Sequence, residues 1–229
     1  MQLVGKSLAD LKAARPNKVF TVPTSMGAGI QCLEACEDLH KCGFIHRDLK
    51  PSNYACGLGD QKRVVYLLDF GLARKIINVK GELKTPRESV LIKGTLRFIS
   101  MSCHKRIELG PKDDCESWFY LILDITIPGG LPWKLIDEKD EVLKEKEKMR
   151  SEKRDEILGV LSCKEELSKM IDYIDTLKYH DHVDYEYIYK LAEQGAKSAG
   201  GDISDLYDWE KAVGPTVTIT AKETVKPSN

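Results

Sequence analysis

The apolar positions of the chain fall mostly at helical spacing. Between about Ser25 and Lys41, Cys32, Cys36 and Leu39 stand at i, i+4 and i+7, with Ile30 and Leu33 widening the stripe, so a helix is expected there. Gly43 suits its stop, and a turn near Pro16 closes the segment before it. YAC from Tyr54 and VVYLL from Val64 read as two short strands, joined by GLGDQK with turn chemistry into a hairpin. No strong periodicity follows from Leu72 to about Cys103, which predicts a long irregular segment, and such loops are usually functional or disordered. Pro111 and acidic residues then open a helix. Trp118, Leu121, Ile122 and Ile125 mark one face of it, but Phe119 and Leu123 lie off that face, so a core helix is predicted. PGGLPW breaks it.

Asp137 to Glu156 is dense in alternating charge and reads as a solvated helical face with i,i+4 pairs. Leu167, Met170, Ile171 and Ile174 predict an amphipathic helix, and another is expected from Tyr185 to about Gln194. The end of the chain, residues 213–229, is polar with Pro and Thr and is expected to be disordered. No internal repeat is visible. The sum is a helix-rich fold with few strands.

Composition narrows the class. The 229 residues suffice for one large domain or two small ones, and 42% apolar with 31% charged residues suits a soluble globular protein. A net charge of -1 provides no global field toward nucleic acid or an anionic membrane, so neither partner is expected. The seven cysteines show no C-x-x-C pair. Cys32 and Cys36, four apart, form at most half a metal site, and buried thiols are expected instead. A reducing compartment follows, the cytoplasm by preference with the nucleus left open. Met1 leads into QLVGKSLADLKAARP, which has no sustained apolar core, so no signal peptide is expected. The most apolar run, WFYLILDITI, is too short to span a bilayer and contains Asp124.

The candidate chemistry lies between His46 and Gly71. HRDLKPSN is followed, after a hairpin-sized spacer, by DFG, and the combination reads as the catalytic loop and metal-binding turn of a protein kinase. Phosphoryl transfer to a hydroxyl needs a carboxylate near the attacking oxygen, positive charge for the transferring group, and hard oxygen ligands for Mg²⁺. Asp48 would orient or accept the hydroxyl proton, Lys50 would stabilise the transferred phosphoryl, and Asn53 and Asp69 would hold the metal. His46 and Arg47 are read as structural support. Phe70 is expected to anchor the Asp69 turn in the core, and Gly71 to permit the sharp backbone there. Other motifs carry less. GKS at Gly5 lacks the upstream glycine and strand of a phosphate loop. His180 and His182 in HDHVD fit no standard metal spacing and are expected on a surface loop. No G-x-S-x-G elbow is present.

Longer stretches resemble the casein-kinase-I group of protein kinases, and within it the tau-tubulin-kinase-like branch. LVGKSLADLK looks like that group's hinge and following helix. GTLRFISMSCH resembles the segment standing where most kinases have APE, and DDCESWFYLILDITIPGGLPW is similar to its central buried helix and the turn beyond. YDWE, Tyr207 to Glu210, resembles the end of the branch's domain. The resemblance covers Met1 to about Glu210. It implies a protein-kinase-like fold, α+β overall: a mainly α-helical C-terminal lobe over residues 1–212, with a short β-hairpin at the catalytic loop and DFG. It also implies a serine/threonine protein kinase using ATP and Mg²⁺ on protein substrates, with tubulin or a microtubule-associated protein suggested by the branch. Thr95 matches the activation-segment threonine that orients Asp48 and Lys50, Arg97 a basic position that reads acidic or phosphorylated substrates, and Asp114 the aspartate that braces the catalytic loop. HDHVDY departs from relatives, which usually have a proline before DY.

A larger departure lies upstream. No G-x-G-x-x-G, VAIK lysine or partner glutamate precedes His46, so the N-terminal β-lobe that binds ATP is expected to be absent from this chain. Its loss would open the adenine pocket, remove phosphate donors, and expose an apolar surface for a partner to cover. Two readings stand: a kinase whose sequence here is incomplete, or a kinase-fold module that binds or competes without catalysis.

Overall fold

The run from Pro111 to Thr126 becomes the axis of the fold. In the computed structural model, which describes residues 3–211, every residue of this helix from Asp113 to Thr126 is buried. Asp113 caps the helix start by accepting the Gly110 amide at 2.9 Å. Trp118, Phe119, Leu121 and Ile122 are fully buried, and each such side chain removed from water stabilises the fold by about 1.5–3 kcal/mol.

Eight α-helices and four short strands are arranged around it among the described residues. In chain order, α1 spans Leu8–Ala13, α2 Val22–Lys41, α3 Met101–His104 and α4 Pro111–Thr126. They are followed by α5 Lys139–Met149, α6 Arg154–Leu158, α7 Lys164–Thr176 and α8 Tyr185–Ser198. Strands β1 (Phe44–Ile45) and β4 (Arg74–Lys75) pair antiparallel, as do β2 (Tyr54–Cys56) and β3 (Val65–Leu67). Helices α2, α4, α7 and α8 share one core, in which Trp118 Nε1 donates to the Gly29 carbonyl across the α2–α4 contact at 2.8 Å.

The helix read from Ser25 starts at Val22, because Pro23 suits a first turn and Asp208 provides the cap that Thr21 does not. It stops where predicted. Gly43 sits at φ +80°, where a Cβ would lie 2.2 Å from Ile77 Cδ1, so a side chain is excluded on both counts. The helix read to Gln194 runs on to Ser198. The stretch from Leu72 to Cys103 is largely irregular, yet it contains β4 and the start of α3.

The face expected over Asp137–Glu156 is solvated, with Asp140, Glu141, Lys144, Glu147 and Glu152 exposed, but it is one side of a docked helix. Val142, Lys146 and Met149 of α5 are buried. Its charges do not pair at i,i+4: Glu145 meets Lys148 and Lys153 within the segment, and others reach across to other elements. Arg150 lies 2.9 Å from Glu116 of α4 and 2.8 Å from Asp175 of α7, and Lys105 pairs with Glu147 at 2.9 Å. A charge-rich sequence hid a docked helix because its few apolar positions and two long basic stems cover the core side.

The last described residues are tied back to the segment that leads into α2. Asp208 accepts the Thr21 amide at 2.6 Å and the Thr21 hydroxyl at 3.0 Å, and Arg15 donates to its carbonyl. The Arg63 guanidinium lies 4.4 Å over the Tyr207 ring and donates to the carbonyls of Ser204 and Asp205. The polar end at residues 213–229 lies outside the described residues. No described helix is long and apolar enough to cross a membrane.

Candidate active site

The candidate catalytic loop, residues 46–53, is held from below by α4. Asp114 accepts the His46 amide at 2.6 Å and the Arg47 amide at 2.9 Å. Arg47 has φ +70°, a left-handed conformation that a non-glycine residue keeps only when its surroundings hold it. Its Nε donates to the Leu72 carbonyl at 2.7 Å, which fastens the loop to the segment after DFG. His46 Nδ1 lies 3.3 Å from the Asp48 amide and Nε2 lies 3.0 Å from the Leu68 carbonyl. The ring therefore accepts on Nδ1 and donates from Nε2, one tautomer satisfying both.

Asp114 is itself buried beside His40, whose Nε2 is 2.9 Å away. Burial alone would raise the Asp114 carboxyl, but the hydrogen bond and charge of His40, with the two loop amides, outweigh it and hold its pKa below the usual value. His40 was not singled out in the sequence. Its signal was its position four residues after Cys36 on the α2 stripe. Cys36, His40 and Asp114 form a group of three donors within 4.8 Å, but both Asp114 oxygens are occupied by the loop amides. Burial pushes the Cys32 and Cys36 thiols well up, as befits inert core thiols. His180 and His182 are exposed.

Above the brace, four side chains converge. Lys50 Nζ lies 2.7 Å from Asp48 Oδ2 and 2.9 Å from Thr95 Oγ1. Thr95 donates to Asp48 Oδ1 from its hydroxyl at 2.7 Å and from its amide at 2.8 Å. Asn53 Nδ2 donates to the Asp48 carbonyl at 2.8 Å. Asp48 and Asn53 are buried while Lys50 is partly open. Gly94, which opens GTLRFISMSCH and has no role assigned from sequence, makes this possible: φ is +99°, and a Cβ there would sit 2.5 Å from the Arg47 carbonyl.

The antiparallel β2–β3 pair brings DFG back to the loop, with the Leu68 amide bonded to the Asn53 carbonyl at 2.8 Å. Asp69 follows with φ +60°, and its Oδ1 accepts the Gly71 amide at 3.2 Å. Its second oxygen and Asn53 Oδ1 have no partner among the described residues, so two hard oxygen donors of the kind Mg²⁺ takes are left open. Phe70 does not anchor the turn in the core. It is 52% exposed and meets His46 edge-on at 5.5 Å, because the short 3₁₀ turn Phe70–Leu72 directs its ring outward.

Arg97 lies to one side, 3.9 Å from Asp124, with one amino group on the Lys134 carbonyl. Lys12 meets the same carboxylate at 2.5 Å. A cavity of about 420 Å³ opens between Lys12, Lys18, Lys50, Thr95 and Arg97.

Residues 3–174 match the protein kinase domain family. The chain is 34% identical over 214 residues to the serine/threonine-protein kinase spe-6 of Caenorhabditis elegans, covering 92% of this chain and 56% of that protein. It is 32% identical over 211 residues to a protein of Dictyostelium discoideum named as a probable serine/threonine-protein kinase, covering 92% of this chain and 41% of the relative. The chain thus spans about half the length of the curated relatives it matches. A family match over most of the chain, together with a braced loop and a returning DFG turn, leads to one conclusion: this chain belongs to the protein kinase family.

Proposed function

We propose that the protein is a serine/threonine protein kinase, with Asp48 as the residue that orients the substrate hydroxyl and accepts its proton. The observation that carries this reading is the Lys50 ammonium shared between Asp48 and Thr95. One cation then fixes the carboxylate and faces the cavity where a hydroxyl and a phosphoryl group would meet. Thr95 holds the other Asp48 oxygen, so the carboxylate cannot rotate freely. Preorganised charge and orientation of this kind are the main means of phosphoryl-transfer catalysis. Asn53 and Asp69 would hold Mg²⁺, which when bound supplies charge neutralisation at the nucleotide phosphates. The phosphotransfer activity is assigned to the whole protein, of which these residues supply the catalytic loop, the metal ligands and the substrate platform.

The finer assignment is the casein-kinase-I group and its tau-tubulin-kinase-like branch, supported by GTLRFISMSCH and YDWE. Its substrates would have an acidic or phosphorylated residue near the acceptor. The basic rim formed by Lys12, Lys18, Arg97 and Lys134 favours this, since among the described residues Asp124 is the one carboxylate lining it. In the full-length protein, Asp48→Asn is expected to lower phosphotransfer from MgATP to a serine peptide by about 10²–10⁴-fold with the fold intact. Unchanged turnover would remove Asp48 from the role. A wild-type protein that transfers nothing would favour the binding or competitor reading.

A further inference from the structure

The buried lysine of α5 does something that packing alone does not explain. Lys146 is 0% exposed. Its Nζ lies 3.1 Å from the Leu96 carbonyl, 2.7 Å from the Ile99 carbonyl and 3.2 Å from His104 Nε2. An ammonium has three donors, and here three acceptors meet them. The Tyr120 and Trp133 rings flank it at 4.7 and 5.7 Å, which adds cation–π attraction. A methionine or leucine would fill the same volume without the penalty of burying a charge. What lysine adds is its grip on two carbonyls.

Those carbonyls belong to the loop of the candidate active site. Leu96 follows Thr95, and Leu96 and Ile99 bracket Arg97. Trp133 Nε1 takes the Arg97 carbonyl at 2.9 Å, so three carbonyls of this loop are held by the segment beyond α4. On the opposite side Asp48 holds Thr95 through two bonds. Burial, the largest cause, lowers the Lys146 pKa to about 7, which fits a group enclosed by protein.

We propose that Lys146 is a positioning residue of the phosphotransfer site, holding the Leu96 and Ile99 carbonyls so that Thr95 and Arg97 keep their places beside Asp48. The role in catalysis rests on the kinase reading above, while the clamp itself does not.

The test separates the two. Lys146→Met and Lys146→Gln are made in the full-length protein, the second keeping the two N–H donors of an amide group. Hydrogen exchange is followed at the Thr95 and Arg97 amides, with steady-state phosphorylation of an acidic serine peptide alongside. Exchange at Thr95 is expected to accelerate by about tenfold or more in Lys146→Met and by less in Lys146→Gln, with α2 and α4 amides unchanged. The peptide kcat/KM is expected to fall by about tenfold or more while the KM for ATP stays within about twofold. Wild-type exchange at Thr95 in either folded variant overturns the clamp, whatever the activity. Faster exchange at Thr95 with an unchanged peptide kcat/KM overturns the positioning role. If Lys146→Met does not fold, Lys146→Gln decides by the same comparison. Should the wild-type protein phosphorylate nothing, the kinase reading fails, the catalytic role fails with it, and exchange still decides the clamp.

Discussion

Asp114 accepts the amide of His46 at 2.6 Å from a helix 68 residues further along the chain. The bond places the catalytic loop on the most buried element of the fold, so loop geometry and core stability are coupled. Asp114→Asn keeps the shape but leaves one acceptor oxygen for two amides and His40. A loss of about 3–5 kcal/mol is expected at neutral pH, measured by urea unfolding. The folded Asp114 pKa lies below its model-peptide value of 3.8, so its stabilisation is fully present above that value. It fades as pH falls through the folded pKa, and the gap between wild type and variant is expected to close there. A gap independent of pH would mean that the charge of Asp114 is not what holds the loop.

Gly94→Ala introduces a methyl group where the Arg47 carbonyl is 2.5 Å away, in a backbone conformation that side chains avoid. A destabilisation of about 1–3 kcal/mol is expected. Phosphotransfer should fall further than stability, since Thr95 follows directly and would shift from Asp48. Crystallography or the Thr95 amide resonance would register that shift, and an unmoved Thr95 would refute it.

His104 is a source of acid sensitivity. Burial first, and then the Lys146 charge, lower its pKa to about 4 from the ordinary 6.5, while Glu116, Asp140 and Glu147 oppose the shift. Between these two values the unfolded chain binds a proton that the folded one refuses, so stability falls as pH drops from about 6.5 to 4. His104→Gln should flatten that limb of the stability profile by up to about one proton's worth of slope. The same slope in both proteins would exclude His104 as its origin.

Arg97→Ala is expected to reduce kcat/KM by about tenfold for a peptide acidic beside its acceptor serine, and much less for a neutral one. Equal loss on both peptides would identify Arg97 as support for the loop instead of a reader of substrate.

Much of the fold was legible because single features decided it. The apolar run around Trp118 could only be a core helix, Leu167 to Ile174 show one face, and the turn chemistry after Cys56 fits the strands that flank it. The solvated side of α5 is legible, but its docked side is not, because periodicity weighs residues by type while Lys146 and Arg150 bury their stems and find acceptors far off in sequence. Phe70 was misread for a related reason: an apolar residue type does not fix the direction of a short turn. At the candidate site, Asp48, Lys50 and Asn53 are close in sequence, so the motif itself indicates their meeting. Gly94 and Trp133 act through backbone groups that a motif does not display, and His40 through a carboxylate 74 residues away in sequence.

The bond between Asp208 and Thr21 has a practical consequence for where this unit can be cut. A boundary chosen from the end of the last helix would fall after α8. Such a fragment would lack the cap of α2, the ring under Arg63 and the carbonyls that Arg63 holds. The smallest piece that keeps its second helix properly started therefore extends past Asp208, and expression boundaries drawn short of it should yield protein that frays at the start of α2.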